Sequence, residues 1–200
     1  MRPYLIPILF ALPLAAADPH MTDAERTKVL GWLDASRREF LAAIDHVSDA
    51  QWKWKPAPER WSVGEVAEHV VLAEAGQFAN VKKALAADVS ADWELKTRGK
   101  TEMIEMVMAP RMGKATSPEP LVPGGKMTRA QVLERFEAQR LEMVKFARET
   151  TATLKEHLAP HPMPVFDPLN AYQWLIYAPL HTQRHVKQIL EVKATAGYPE

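Results

Sequence analysis

Three short stretches constrain this chain more than anything else in it. Thr22 to Glu25, Ser62 to Glu65 and Thr128 to Gln131 each place a hydroxyl residue three positions ahead of a Glu or Gln. Such a pair closes a capping box, in which each side chain satisfies a backbone amide left open at a helix N-terminus. Behind each box, apolar residues recur at helical spacing. The first helix carries Val29, Leu30, Leu33, Phe40, Leu41 and Ile44 and is expected to end near His46. The second runs from Val63 to about Ala87, with Val66, His69, Val70 and Ala73 on one stripe. Its start is set by Lys55-Pro56-Ala57-Pro58, which cannot be helical. The third carries Val132, Leu133, Phe136, Leu141, Val144 and Phe146. A fourth start signal is Asp167-Pro168, an N-cap followed by proline at the first helical position, and that helix runs to about Lys193. Pro179 lies inside it and is expected to kink or split it.

No strand pattern or internal repeat accompanies these helices. The expected fold is therefore all-α, a four-helix bundle with a long Pro-rich crossover between helices two and three. The crossover spans Ala91 to Lys126, is broken by Pro110, Pro118, Pro120 and Pro123-Gly124-Gly125, and has room for a short helix over Lys100 to Met108. Connections of that length in compact domains tend to be functional or to cover a site. The 200 residues make one domain with enough chain for a proper core.

The first stretch, residues 1–17, has a different character. Arg2, the apolar run from Tyr4 to Leu14 and Ala15-Ala16-Ala17 read as a cleaved signal peptide, with a mature domain of residues 18–200 exported to the periplasm or beyond. The apolar run is shorter than the roughly 20 residues a membrane span needs. There is no cysteine, so no lipid-anchored cysteine, disulfide, thiolate nucleophile or Cys-ligated zinc is available. No stable membrane anchor is expected after cleavage. Lys+Arg and Asp+Glu both number 25, which leaves no basic excess of the kind a nucleic-acid partner selects.

With thiolates absent, any metal must rest on imidazole or carboxylate. His181 and His185 are four residues apart, which on a helix puts both rings on one face, one turn apart. Gln188 follows on that face and could orient a ligand from behind. Such pairs are also common on plain surfaces. His69, on the inward stripe of helix two, adds a third imidazole. A shared ion would satisfy one of its nitrogens, and so would a backbone carbonyl; spacing alone leaves both readings open.

Three stretches in combination resemble the DinB/YfiT-like superfamily, specifically its DinB-like domain proteins. They are Gln51-Trp52-Lys53-Trp54-Lys55-Pro56-Ala57-Pro58 with Arg60-Trp61-Ser62-Val63-Gly64-Glu65, then Glu68-His69-Val70, then Leu180-His181 with Arg184-His185-Val186-Lys187-Gln188-Ile189. The resemblance implies a divalent metal, zinc or nickel, on His69, His181 and His185. Three protein ligands leave a coordination position open, as a catalytic site requires. It further implies a metal-dependent hydrolase or thiol transferase acting on a small-molecule substrate, and often a homodimer. The rival is a non-catalytic binding or stress-response bundle, with or without metal. Glu65 and Tyr177 are the candidate catalytic residues, although capping already accounts for Glu65. Trp174 and Tyr177 precede His181 by two turns and one turn and could line the pocket, with core packing the stronger account of Trp174; Arg184, on a different face from His181, is expected to be solvated or to meet a substrate carboxylate, and His157 and His161 are expected in an exposed loop. If one ion joins the three histidines, their ring nitrogens should lie roughly 3–4 Å apart.

Overall fold

The computed structural model describes residues 17–110 and 117–200. Four long helices make the bundle: α1 (Asp23–Ile44), α3 (Val63–Leu85), α6 (Arg129–Glu149) and α7 (Ala171–Lys193), with short α2 (Asp49–Lys53), α4 (Trp93–Thr97) and α5 (Lys100–Met108) between them. The three expected boxes close at Thr22/Glu25, Ser62/Glu65 and Thr128/Gln131, and two more close at Ser48/Gln51 and Asn170/Gln173. The described part of the crossover contains α4, α5 and a 3-10 turn at Glu119–Leu121. Among the described residues no helix is long and apolar enough to cross a membrane.

The fourth helix begins later than its Asp-Pro signal. Leu158–Ala159 (β1) pairs antiparallel with Leu169–Asn170 (β2), which keeps the chain extended until Asn170 takes over as N-cap. Asp167 is committed elsewhere: its Oδ1 accepts the His161 amide at 2.8 Å. Strands of two residues are too short for any alternation to reveal. Pro179 does not split the helix, which continues as one element to Lys193.

The signal-peptide reading falls on residues 1–16, outside the described residues, and on Ala17. The Ala17 backbone N–H donates to Glu94 Oε1 at 3.2 Å. The chain then stays on the bundle: Pro19 O accepts from Lys155 N at 2.9 Å, and Met21 is buried in the core.

The core consists of two apolar clusters, one holding Leu33, Phe78, Met143 and Ala178, the other Phe40, Val70, Phe136 and Val186. Between them, at matching positions of all four long helices, lie Ser36, Glu74, Arg140 and Thr182, each 0–1% exposed. Arg140 forms a two-point ion pair with Glu74, its Nε 3.2 Å from Oε2 and its Nη2 on Oε1. Its Nη1 donates to Leu33 O at 2.8 Å and Ser36 Oγ at 2.7 Å, and Thr182 Oγ1 donates to Glu74 Oε1 at 2.5 Å. Helix α6 is thus rotated from its expected register. Its buried stripe is Val132, Phe136, Arg140, Met143 and Ala147, and Leu141, expected inside, is 74% exposed.

Candidate metal centre

His69 projects from the second turn of α3, and His181 and His185 from successive turns of α7. The start of α3 is held by close packing: the Trp52 indole lies so near Gly64 that a Cβ there would sit 2.4 Å from Nε1. Glu68, beside His69, accepts the amides of Gly124 at 3.1 Å and Lys126 at 3.0 Å and draws the crossover over this part of the helix. Thr182, beside His181, is tied into the Glu74–Arg140 layer. Both helices that carry the histidines are therefore fixed from below by buried polar bonds.

One ring nitrogen from each of His69, His181 and His185 lies within 4.8 Å of the others. His181 Nε2 and His185 Nε2 are 3.2 Å apart, and the ring centroids of His69 stand 5.3 Å from His181 and 4.5 Å from His185. The His181–His185 side meets the roughly 3–4 Å spacing that two bonds of about 2.0–2.1 Å to one ion require. His69 Nδ1 lies 2.7 Å from Leu121 O, a carbonyl of the crossover, and His185 Nδ1 lies 2.8 Å from Gln188 Oε1. Each acceptor holds the proton on Nδ1, which leaves an Nε2 lone pair directed at the cluster. The carbonyl partner is thus found on Nδ1, while the other ring nitrogen faces His181 and His185.

Burial keeps His69 below the usual histidine pKa, against the opposing pull of the Leu121 carbonyl. It holds His181 well below that value, and positive charge on His185, His69, Arg184 and His161 pushes the same way. Imidazoles held toward the neutral form at His69 and His181, with one ring nitrogen of each histidine gathered at one point, suit a divalent cation.

The cluster borders a cavity of about 690 Å³. Its walls include Trp61, whose ring is 4.9 Å from His69, and Trp174, Tyr177 and Leu121. Burial raises the Tyr177 phenol to about 12, with Arg184 pulling slightly the other way. Glu65 is not on this surface: its Oε2 accepts the Ser62 amide at 2.8 Å and its Oε1 the Lys55 ammonium at 3.1 Å. Of the two places open to Arg184, solvent and substrate pocket, the structure puts it at the cavity border, where it donates to Pro110 O at 3.4 Å. His161 departs from expectation: it is buried, 8% exposed, and borders the cavity too. His157 sits nearer the surface, with its Nδ1 2.8 Å from Ala87 O. The flanking prolines made His161 look like a loop residue, and no spacing in the sequence links it to the other three.

The model of the DinB superfamily matches residues 32–189, from α1 through both histidines of α7. The chain belongs to the DinB superfamily. A relative of that kind is YuaE of Bacillus subtilis strain 168, an uncharacterized protein 26% identical over 166 residues, 79% of this chain and 93% of YuaE. A solved structure with the same fold is YfiT from Bacillus subtilis, described as a probable metal-dependent hydrolase with an unusual four-helix bundle topology. The TM-score is 0.61 at 13% identity, over 94% of each chain. That likeness matches one bundle to another across almost the whole chain and supports neither a signal peptide nor a secreted or periplasmic protein. The export reading of residues 1–17 is not sustained.

Proposed function

We propose that this DinB superfamily bundle is a metal-dependent hydrolase of a small molecule, with a divalent ion held by His69, His181 and His185. The observation that carries this reading is the pair of second contacts behind the cluster. Leu121 O and Gln188 Oε1 hold protons on the far nitrogens of His69 and His185, so the near nitrogens turn lone pairs toward the cluster. Among the described residues no carboxylate joins the three imidazoles, and the cluster opens on a cavity rather than on packed side chains. An open position next to a cavity favours an enzyme over a closed structural site. YfiT, described as a probable metal-dependent hydrolase on the same fold, points the same way.

The ion would supply Lewis acidity, which makes a nucleophile available near neutral pH and polarises a substrate oxygen. The chain supplies the rest. Trp61, Leu121 and Trp174 exclude water around the reacting group, and the Tyr177 hydroxyl, neutral throughout the physiological range, can donate a hydrogen bond. In the reaction the oxygen of water bonds to the electrophilic centre, the bond to the leaving group breaks, and the leaving group departs with a proton.

The test is elemental analysis of tag-free protein, followed by calorimetric titration of the metal-free chain with zinc and with nickel. One ion per chain is expected, lost in His185→Ala while the helical circular dichroism persists. Wild-type protein that takes up neither ion refutes the proposal and leaves the non-catalytic bundle.

A further inference from the structure

The segment that carries His161 is built far more tightly than a surface loop requires. The His161 N–H donates to Asp167 Oδ1 at 2.8 Å, the Phe166 N–H to Met163 O at 3.0 Å and the Asp167 N–H to Pro164 O at 3.2 Å. From α5, Lys100 Nζ donates to three successive carbonyls, Phe166 O at 3.3 Å, Asp167 O at 2.7 Å and Pro168 O at 2.8 Å. The imidazole stacks on Trp174 at 4.9 Å and 29°, and rests against Phe166 at 5.1 Å and Tyr177 at 5.2 Å. An aromatic cradle and a clamped loop together fix the plane of one ring.

The same loop fixes its tautomer. Met163 N lies 3.0 Å from His161 Nδ1, and Met163 O lies 3.3 Å from it. The amide always carries its hydrogen, and it makes the shorter contact, so Nδ1 holds the lone pair and Nε2 the proton. Nε2 has no hydrogen-bond partner among the described residues, yet it is not among the sealed, unsatisfied atoms, and the space that His161 borders is the cavity. The Tyr177 hydroxyl is in the same position. The Tyr177 ring lies 5.2 Å from His161 and 5.9 Å from His181, so these two donors belong to a continuous row of rings that ends at the metal cluster. The cavity wall offers an apolar stretch, Trp61, Met103, Val107, Leu121 and Met163, beside polar side chains that include Gln77 and Arg184.

We propose that His161 is a substrate-binding residue. Its Nε2–H and the Tyr177 hydroxyl donate to the carbonyl oxygen of an acyl substrate, an ester or amide with an apolar body lying along the Trp61–Met163 wall. No proton is transferred in this contact. The two donors hold the oxygen on which negative charge gathers as water adds to the carbonyl carbon, the arrangement that stabilises acyl-transfer transition states. Burial keeps the imidazole below the usual histidine value, which agrees with a neutral donor at working pH.

This assignment rests on the metal-dependent hydrolase reading, and its test separates the two. Zinc content of the full chain is measured first, and benzohydroxamate, an aryl body with one carbonyl oxygen, is then titrated into the zinc-loaded protein. His161→Phe, which keeps the stack on Trp174 and removes the N–H, and Tyr177→Phe should each weaken binding roughly five- to tenfold, the loss of one neutral hydrogen bond, at unchanged zinc content. In wild-type protein, long-range proton–nitrogen spectra should show His161 protonated on Nε2, with that proton shifted downfield by the probe. This readout needs no variant to fold. Wild-type protein that binds no zinc overturns the hydrolase reading. Zinc-loaded protein that ignores benzohydroxamate but binds phenylphosphonate overturns the acyl assignment. Equal affinity in His161→Phe, loss of zinc from that variant, or a proton on Nδ1 each overturns the role of His161.

Discussion

Replacing Arg140 by methionine removes a guanidinium that is 1% exposed and leaves Glu74, 0% exposed, with the Thr182 hydroxyl as its remaining partner among the described residues. Met fills most of the space of the aliphatic stem, so the loss is mainly electrostatic. Five contacts go at once: two to Glu74 and one each to Leu33 O, Ser36 Oγ and Thr182 Oγ1. Stripping one partner from a buried pair costs about 3–5 kcal/mol, because a charge is stranded out of water. In a domain of this length each kcal/mol moves the melting point by about 2–4 °C, which predicts a drop of roughly 6–20 °C. The companion variant, Arg140→Met with Glu74→Leu, removes both charges and joins the two apolar clusters into one. Replacing a buried pair by apolar residues is neutral to stabilising by about 1–4 kcal/mol, so most of the loss should return. The assay is urea and thermal unfolding by circular dichroism, in chelator so that no metal contributes, read as a double-mutant cycle. A single variant within about 1 kcal/mol of wild type, or a double no better than the single, would refute the reasoning.

The site and its frame make further measurable commitments. Gln188→Leu removes the acceptor behind His185 and should weaken zinc binding about 10–100-fold without removing a ligand, as read by chelator competition. Gly64→Ala drives a methyl into the Trp52 indole, 2.4 Å from Nε1, and should destabilise by about 1–3 kcal/mol; an unchanged urea midpoint would show that the indole can step aside. In the metal-free protein His69 and His181 stay neutral below the pH at which unfolded imidazoles protonate, about 6.5. Their contribution is fully present above that pH and is lost as the pH falls toward their depressed folded values, because there the unfolded chain binds more protons. The melting temperature should therefore fall between about pH 7 and 5, and a flat profile would mean the rings are hydrated. Added zinc should raise the melting temperature at pH 8 and lose that effect as the pH falls through about 6, since only neutral imidazole binds.

Local chemistry made much of this protein legible from its residues alone. The boxes at Thr22, Ser62 and Thr128 act within four residues of chain, and the same three helix starts appear in the structure. The His181–His185 pair was legible for the same reason, being one helical turn apart, with Gln188 beside His185. Errors arose where a partner distant in sequence decides. Leu141 was placed on the apolar stripe of the third helix; only Glu74, 66 residues from Arg140, draws that charged side chain inside and rotates α6 about its axis. The fourth helix waited for Asn170 because β2 is held extended by β1. Whether His69 faced a carbonyl or the other histidines depended on where the crossover laid Leu121, 52 residues on, and the answer was one on each nitrogen. His161 shows the limit most plainly. Between its prolines it carried no periodicity, and it entered the cavity because Lys100 gathers three carbonyls of its loop and Trp174 receives its ring. Helix starts, turn-to-turn neighbours and the absence of thiols follow from residue types at short range. Which charge is buried, which tautomer a histidine keeps and which side chains share a cavity follow from contacts that only the folded chain brings together.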